Sequence, residues 1–252
     1  MADTLDEVSD MQVAFRSRLD AGDLDRSGGL SPGGAPVLLL HGFLATRRSL
    51  EALERRLRRD GFRVFSVELG GRFNTRRIDD LARRVRGEVE RIYARNPGLA
   101  RLTVIGHSQG GLIAAWWVKR LGGHQRVRTL VTLGTPHHGT WFAWAGILLA
   151  WLMPSLLQML PGSGFMRRLH EIAWPAHVAL VSIYSRRDRV APWPSAVIDS
   201  RVPQRRNVEV NAAHSDYLLK KGIYLTMMRE LRRIESRDAR PASVSASASC
   251  AA

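Results

Sequence analysis

Cysteine is almost missing from this chain: the single one, Cys250, lies in an Ala/Ser-rich C-terminal stretch, so no internal disulfide can staple the fold. Lysine is nearly as scarce. Only Lys119, Lys220 and Lys221 occur, so arginine supplies almost all of the positive charge behind the formal net value of +15. Such a field favours anionic partners in general. Yet no run of five or more basic residues appears, and pairs such as Arg47-Arg48, Arg83-Arg84 and Arg232-Arg233 fall mostly on the polar faces of predicted helices. That is the pattern of a solvated face, and without a recognition motif it excludes nucleic acid as the expected partner. A secretory leader is lacking as well. The opening Met-Ala-Asp-Thr-Leu-Asp-Glu is acidic where a leader is basic and then apolar, so a cytoplasmic location is the expectation. The longest apolar stretch, from Thr140 onward, is broken by Pro154, Ser155 and Gln158 before the roughly 20 residues of a full membrane span accumulate. No set of His, Cys, Asp and Glu stands at metal-ligand spacing, so no metal is expected.

What is present is a long alternation of short apolar runs and helical patterns. Residues 1–34 are polar, with room for a short helix around Met11 to Leu19, and end in Ser-Gly-Gly-Leu-Ser-Pro-Gly-Gly, a flexible segment by composition. Residues 237–252 have little to bury and read as a disordered tail. Between them, 35–236 reads as one domain. Val37 to Leu40, Phe62 to Val67, Leu102 to Ile105, Val127 to Leu133, Val178 to Ile183 and Val208 to Val210 are apolar on both faces, as strands covered on both sides must be. The intervening segments have helical spacing. One stripe is Ile78, Leu81, Ala82, Val85, Val89, Ile92 and Tyr93, stopped by Asn96-Pro97-Gly98. Leu50, Leu53 and Leu57 mark an earlier helix, and Leu112 to Val118 a later one. The last is predicted to start at Ser215 as N-cap and to bury Leu218, Leu225, Met228 and Leu231. The predicted fold class is α/β: a doubly wound, mostly parallel sheet with helices on both faces.

Gly106-His107-Ser108-Gln109-Gly110 sits where the third strand gives way to an apolar helix. A serine presented on so sharp a turn needs small neighbours, which Gly106 and Gly110 supply, and the helix that follows aims free N–H groups at any charge developing beside it. With strand before and helix after, the pentapeptide resembles the nucleophile elbow of the α/β-hydrolases. Four further pieces extend the resemblance, in that superfamily's order: Val37-Leu-Leu-Leu-His41-Gly42-Phe43, Leu133-Gly-Thr-Pro136-His-His-Gly139-Thr, Ser185-Arg-Arg-Asp188-Arg-Val-Ala-Pro192 and a late His214. From about Pro36 to Leu231 the chain is similar to the bacterial lipase and esterase branch.

The resemblance implies a Ser-Asp-His order. Asp188 follows the strand Val178 to Ile183, with Asp199 as the fallback acid; His214 follows Val208 to Val210 and is the expected base. His41 is expected to stabilise a loop. The backbone N–H groups of Phe43 and Gln109 are the expected oxyanion donors. The implied activity is hydrolysis of carboxylic esters, with lipid or other small-molecule esters as substrate and no cofactor. Acyl transfer or thioester cleavage on the same three residues, and a non-catalytic lipid-binding module, remain alternatives.

The apolar stretch falls between two sheet strands, where such hydrolases carry a lid, so residues 140–174 are expected to form a helical lid or cap inserted after Val127 to Leu133. Trp141, Trp144 and Leu148 would line an acyl-binding wall; an ordinary buried helix is the competing reading. Arg167 and Arg168 would let an open lid rest against anionic membrane, a peripheral contact rather than a span.

Overall fold

The computed structural model describes residues 34–69, 75–143, 153–201 and 204–238. The suggested helix around Met11 to Leu19 lies outside them.

Among the described residues six strands run in chain order: β1 (Pro36–Leu40), β2 (Arg63–Ser66), β3 (Leu102–His107), β4 (Val127–Leu133), β5 (Ala179–Tyr184) and β6 (Arg205–Glu209). They form one sheet in the order β2-β1-β3-β4-β5-β6, every neighbouring pair parallel. The predicted doubly wound α/β architecture is therefore the one observed. Its helices are α1 (Glu51–Arg59), α2 (Ile78–Arg95), α3 (Gln109–Arg120), α4 (Pro154–Met159), α5 (Gly164–Glu171), α6 (Trp193–Ala196), α7 (Asp216–Leu219) and α8 (Lys221–Asp238).

Alternation along the strands divides the core into two layers. Leu38, Leu40, Val104, Leu130 and Leu180 point to the face covered by α2 and α3. Val37, Leu39, Ile105, Val131, Val181 and Ile183 point to the other, covered by α1, α7 and α8. Each strand must bury both kinds of residue, which is why β1 reads as an unbroken apolar run and β3 and β4 as mostly apolar ones. In α3 the burial is nearly all-round: Gln109 to Val118 are all buried. That helix lies between the sheet and the insertion after β4, and Trp116 stacks on Phe165 of α5 with ring centroids 4.7 Å apart.

The described part of that insertion is docked firmly. Leu156 and Met159 of α4, with Phe165, Met166 and Leu169 of α5, belong to the first core layer. The side-chain carbonyl of Gln158 accepts the Ile78 N–H at the start of α2, and its amide donates to Asp79 at 2.6 Å.

Three local expectations change. The last helical segment is two helices, broken at Lys220, and the Ser215 side chain makes no cap hydrogen bond. Leu225, expected in the apolar stripe, is 50 % exposed. The final strand begins at Arg205, three residues before its apolar part, because it is an edge strand and can carry polar side chains.

Candidate active site

The sheet changes direction of growth at β1: β2 lies on one side of it and β3 on the other. In open α/β sheets the crevice beyond the carboxyl ends of such strands is where ligands bind. The loop Gly42 to Thr46 follows β1, the turn at Ser108 follows β3, and the loops with Asp188 and His214 follow β5 and β6. All therefore emerge at one end of the sheet.

Ser108 has φ 53° and ψ −124°, a conformation that costs about 1–3 kcal/mol in a non-glycine residue and persists only when its surroundings enforce it. The surroundings here are glycines that nothing larger can replace. A Cβ on Gly106 would fall 2.6 Å from the backbone of Gly111, and one on Gly110 2.3 Å from the Leu40 carbonyl oxygen. One on Gly111 would meet the Thr135 side chain at 2.1 Å. Helix α3 thus sits hard against the ends of β1 and β3, with Ser108 at their junction. The Ser108 N–H donates to the Leu133 carbonyl at 2.9 Å, and Thr135 Oγ1 donates to the Ser108 carbonyl at 2.9 Å. Gly42 packs against the serine from the β1 side: a Cβ there would lie 3.0 Å from Ser108 Cβ.

Asp188 and His214 are brought together. Asp188 Oδ2 lies 2.8 Å from His214 Nδ1, with the carboxylate fully buried and the imidazole 17 % exposed. The other oxygen, Oδ1, accepts the N–H groups of Val190 and Ala191, both at 2.9 Å. This fixes the carboxylate with its second oxygen against the imidazole. The fallback acid is placed differently: the exposed Asp199 carboxylate pairs with Arg201 at 2.9 Å.

Four supporting residues are not singled out by the sequence. Ser185 Oγ accepts N–H groups from Arg187 and Ala212, tying the acid loop to the base loop. Tyr217 is buried beside Asp188, and burial, reinforced by that carboxylate's charge, pushes its phenol far above the usual range. Its ring packs so closely on Gly134, at φ 54°, that a Cβ there would sit 2.5 Å from it. His107 Nε2 lies 3.0 Å from the His214 carbonyl oxygen, and the two rings are 4.9 Å apart. Nε2 must carry the proton there, and burial holds His107 neutral with a pKa of about 3. The fourth is Glu68, beside His41. Their signal is there in part: His107 is inside the elbow motif and Ser185 opens the acid loop, but only the fold brings Tyr217 and Glu68 to this end of the sheet.

Trp141 is 68 % exposed at the end of the loop that follows β4. Trp144 and Leu148, the other two expected acyl contacts, lie outside the described residues. Phe43, half-buried, follows Gly42 in the loop after β1, and Gln109, buried, follows the serine as the first residue of α3. Among the described residues no group of three or more His, Cys, Asp and Glu side chains is arranged to hold a metal ion.

Buried neutral histidines have a consequence for stability. His107 and His137 both have pKa values lowered by burial from 6.5 to about 3. Above pH 6.5 neither folded nor unfolded chain binds these protons. Below it the unfolded chain takes up protons that the fold refuses, so stability is lost as pH falls from 6.5 toward 3. Each site contributes about 1.4 kcal/mol per pH unit well below 6.5 and half that at 6.5, so the pair is expected to cost about 3 kcal/mol between pH 6.5 and 5. Denaturant unfolding at the two pH values measures this, and an unchanged midpoint would contradict the burial of both rings.

Residues 36–148 match the family model for palmitoyl protein thioesterase. No curated protein sequence matches the chain. Among solved structures, lipase BlEst2 of Bacillus licheniformis in its mature form is 13 % identical, with a TM-score of 0.66 over 84 % of this chain and 96 % of that one. Lipase B of Aspergillus fumigatus is 20 % identical, with a TM-score of 0.63 over 80 % of this chain and 54 % of the other. The metagenomic carboxyl esterase MGS0156 is 17 % identical, with a TM-score of 0.61 over 87 % and 82 %. The fold is that of the α/β-hydrolases. These lipases and esterases share that fold with this chain.

Proposed function

We propose that this protein is a serine hydrolase that cleaves carboxylic esters with apolar acyl groups, using Ser108 as nucleophile, His214 as base and Asp188 as the acid that orients it. The observation that carries the reading is the Asp188–His214 contact at 2.8 Å, at the same end of the sheet as a serine held in a strained turn by glycines. Neutral His214 takes the Ser108 hydroxyl proton as the oxygen attacks the acyl carbon. Asp188 accepts from Nδ1 and stabilises the imidazolium that results. The N–H groups of Phe43 and Gln109 receive the oxyanion, each worth roughly 3 kcal/mol in comparable enzymes. His214 then returns the proton to the departing alcohol, leaving the acyl group on Ser108. Water, activated by the same histidine, releases the acid and restores the serine. The cycle calls on no cofactor.

Lipid esters are the substrate class supported best, because the relatives in fold include lipases and Trp141 exposes a large apolar side chain on a loop from the same end of the sheet. Arg167 and Arg168, exposed on α5, support peripheral contact with anionic lipid. Among the described residues no helix is long and apolar enough to cross a membrane. A second reading, thioester cleavage by the same residues, is favoured by the family-model match over 36–148.

Hydrolysis of p-nitrophenyl esters from acetate to palmitate, beside thioesters of the same acids, tests both. The expected result is turnover rising with acyl length, about 0.8 kcal/mol of binding for each methylene buried. A tenfold or larger preference for the thioester would move the assignment to a thioesterase. No turnover of either class would leave a non-catalytic module.

A further inference from the structure

The loop that follows β1 is held from a direction that the hydrolytic reading does not use. His41 is completely buried, and both of its ring nitrogens face oxygen acceptors. Nδ1 lies 3.1 Å from the Gly42 carbonyl oxygen, and Nε2 lies 3.2 Å from Glu68 Oε1, beyond the end of β2. The Leu69 N–H is also 3.4 Å from Nε2, a poorer contact than the carboxylate. At Nδ1 a lone pair would point at an oxygen lone pair; at Nε2 the carboxylate and the Leu69 N–H compete, and the shorter, charge-assisted bond to Glu68 is the stronger, which favours a proton on both nitrogens. The second carboxylate oxygen, Glu68 Oε2, accepts the Arg47 N–H at 3.2 Å. One carboxylate therefore grips both ends of the segment from His41 to Arg47. That segment needs holding, because Leu44 inside it has φ 54°.

The peptide group that His41 touches matters most. The Gly42 carbonyl and the Phe43 N–H belong to one planar unit and point in opposite directions. Fixing the carbonyl toward His41 aims the N–H away from it, and Gly42 itself abuts Ser108 Cβ. Hydrogen bonding at the carbonyl also polarises the unit and makes its N–H a better donor. The neighbouring His107 is neutral, so its ring adds no positive charge against a protonated His41. The Arg47 guanidinium lies 3.8 Å from Glu54.

We infer that Glu68 is the positioning residue of the oxyanion loop, holding His41 as an imidazolium that fixes the Gly42–Phe43 peptide for transition-state binding. The inference rests on the hydrolytic reading for its catalytic consequence but not for the ion pair itself.

Two measurements on the full chain test it separately. In protein labelled with 15N-histidine, NMR at pH 7 is expected to find both His41 nitrogens protonated in the wild type and a neutral ring in Glu68→Ala. A neutral His41 in the wild type would overturn the ion pair whether or not the protein hydrolyses esters. In p-nitrophenyl butyrate hydrolysis, Glu68→Ala is expected to lower kcat ten- to a hundredfold with KM within about threefold, since the donor acts on the transition state. Glu68→Gln can donate to a neutral His41 and still accept from Arg47, so it is expected to recover at least tenfold of the loss. Full kcat in Glu68→Ala, or no recovery in Glu68→Gln, overturns the positioning role. Should Glu68→Ala not fold, Glu68→Gln still decides: its His41 is expected to be neutral, and a charged ring would sink the idea. Absence of turnover in the wild type would instead count against the hydrolytic reading, leaving the NMR result to judge the pair.

Discussion

Ser108→Ala is expected to reduce turnover of every ester the wild type accepts by about a millionfold, with the melting temperature unchanged or slightly raised. In serine hydrolases the triad acts as a unit, so removing the nucleophile costs about as much as removing all three members. The fold should not suffer, because the substitution removes a single oxygen. The close contacts at this turn are made by Gly106, Gly110 and Gly111, whose missing side chains are what the packing requires. Steady-state kinetics with thermal melting on the same preparation separates the outcomes. Residual turnover above a hundredth of wild type in a folded variant would mean that another group attacks the ester.

Asp188→Asn is expected to be nearly as damaging, lowering kcat by about ten-thousandfold. The variant keeps the shape and one carbonyl oxygen, so the N–H groups of Val190 and Ala191 can still be accepted and the loop can still close. What changes is the proton. An amide N–H facing Nδ1 favours the imidazole tautomer with its hydrogen on Nε2, which cannot take a proton from serine. It also leaves the imidazolium without a counter-charge in a buried setting. Kinetics on Asp188→Asn beside Asp199→Asn tests the choice of acid. Asp199 is exposed and engaged by Arg201, so its variant should keep wild-type activity. The reverse result would place the acid at 199.

Much of this site is legible in the order of residues along the chain. The strands β1, β3, β4 and β5 stand out because a strand buried on both faces is mostly apolar, with few polar positions, small hydroxyl residues and Arg128 among them, to dilute the signal. Ser108 is legible for a different reason: a strained turn between a strand and a helix tolerates only small neighbours, and that constraint is written as glycines. Asp188 and His214 emerge from chain order and the strands they follow. Harder to see are features set by contacts between distant segments. Glu68 is 27 residues from His41, and nothing local distinguishes it from the other surface carboxylates. Tyr217 looks like one more apolar residue of a helix until Gly134 and Asp188 are placed against it.

The misread elements have physical causes too. Arg205, Arg206 and Asn207 do not look like strand residues, but an edge strand pairs on one side only, and its half-buried polar side chains find partners: Arg206 in Glu230 and Asn207 in the Ile198 backbone. Leu225 falls on the expected apolar stripe only if one uninterrupted helix runs from Ser215. A break at Lys220 resets the phase of the following helix and turns Leu225 outward. The apolar stretch after Gly-Thr-Pro carries too little periodicity to separate a lid from a buried helix. Its described later part, α4 and α5, packs against α2 and α3 as core.

The central claim is that Ser108 is a nucleophile activated by its neighbours, and one measurement addresses it whatever the natural substrate is. A fluorophosphonate carrying a short alkyl chain reacts with serine hydroxyls that a base has made nucleophilic, releasing fluoride and leaving a stable phosphonyl adduct on the oxygen. After incubation with wild-type protein at neutral pH, intact mass should rise by one adduct, and peptide mapping should place it on Ser108. His214→Ala should label far more slowly, and Ser108→Ala not at all. A protein that stays unmodified under these conditions, or one modified equally in Ser108→Ala, would contradict the account.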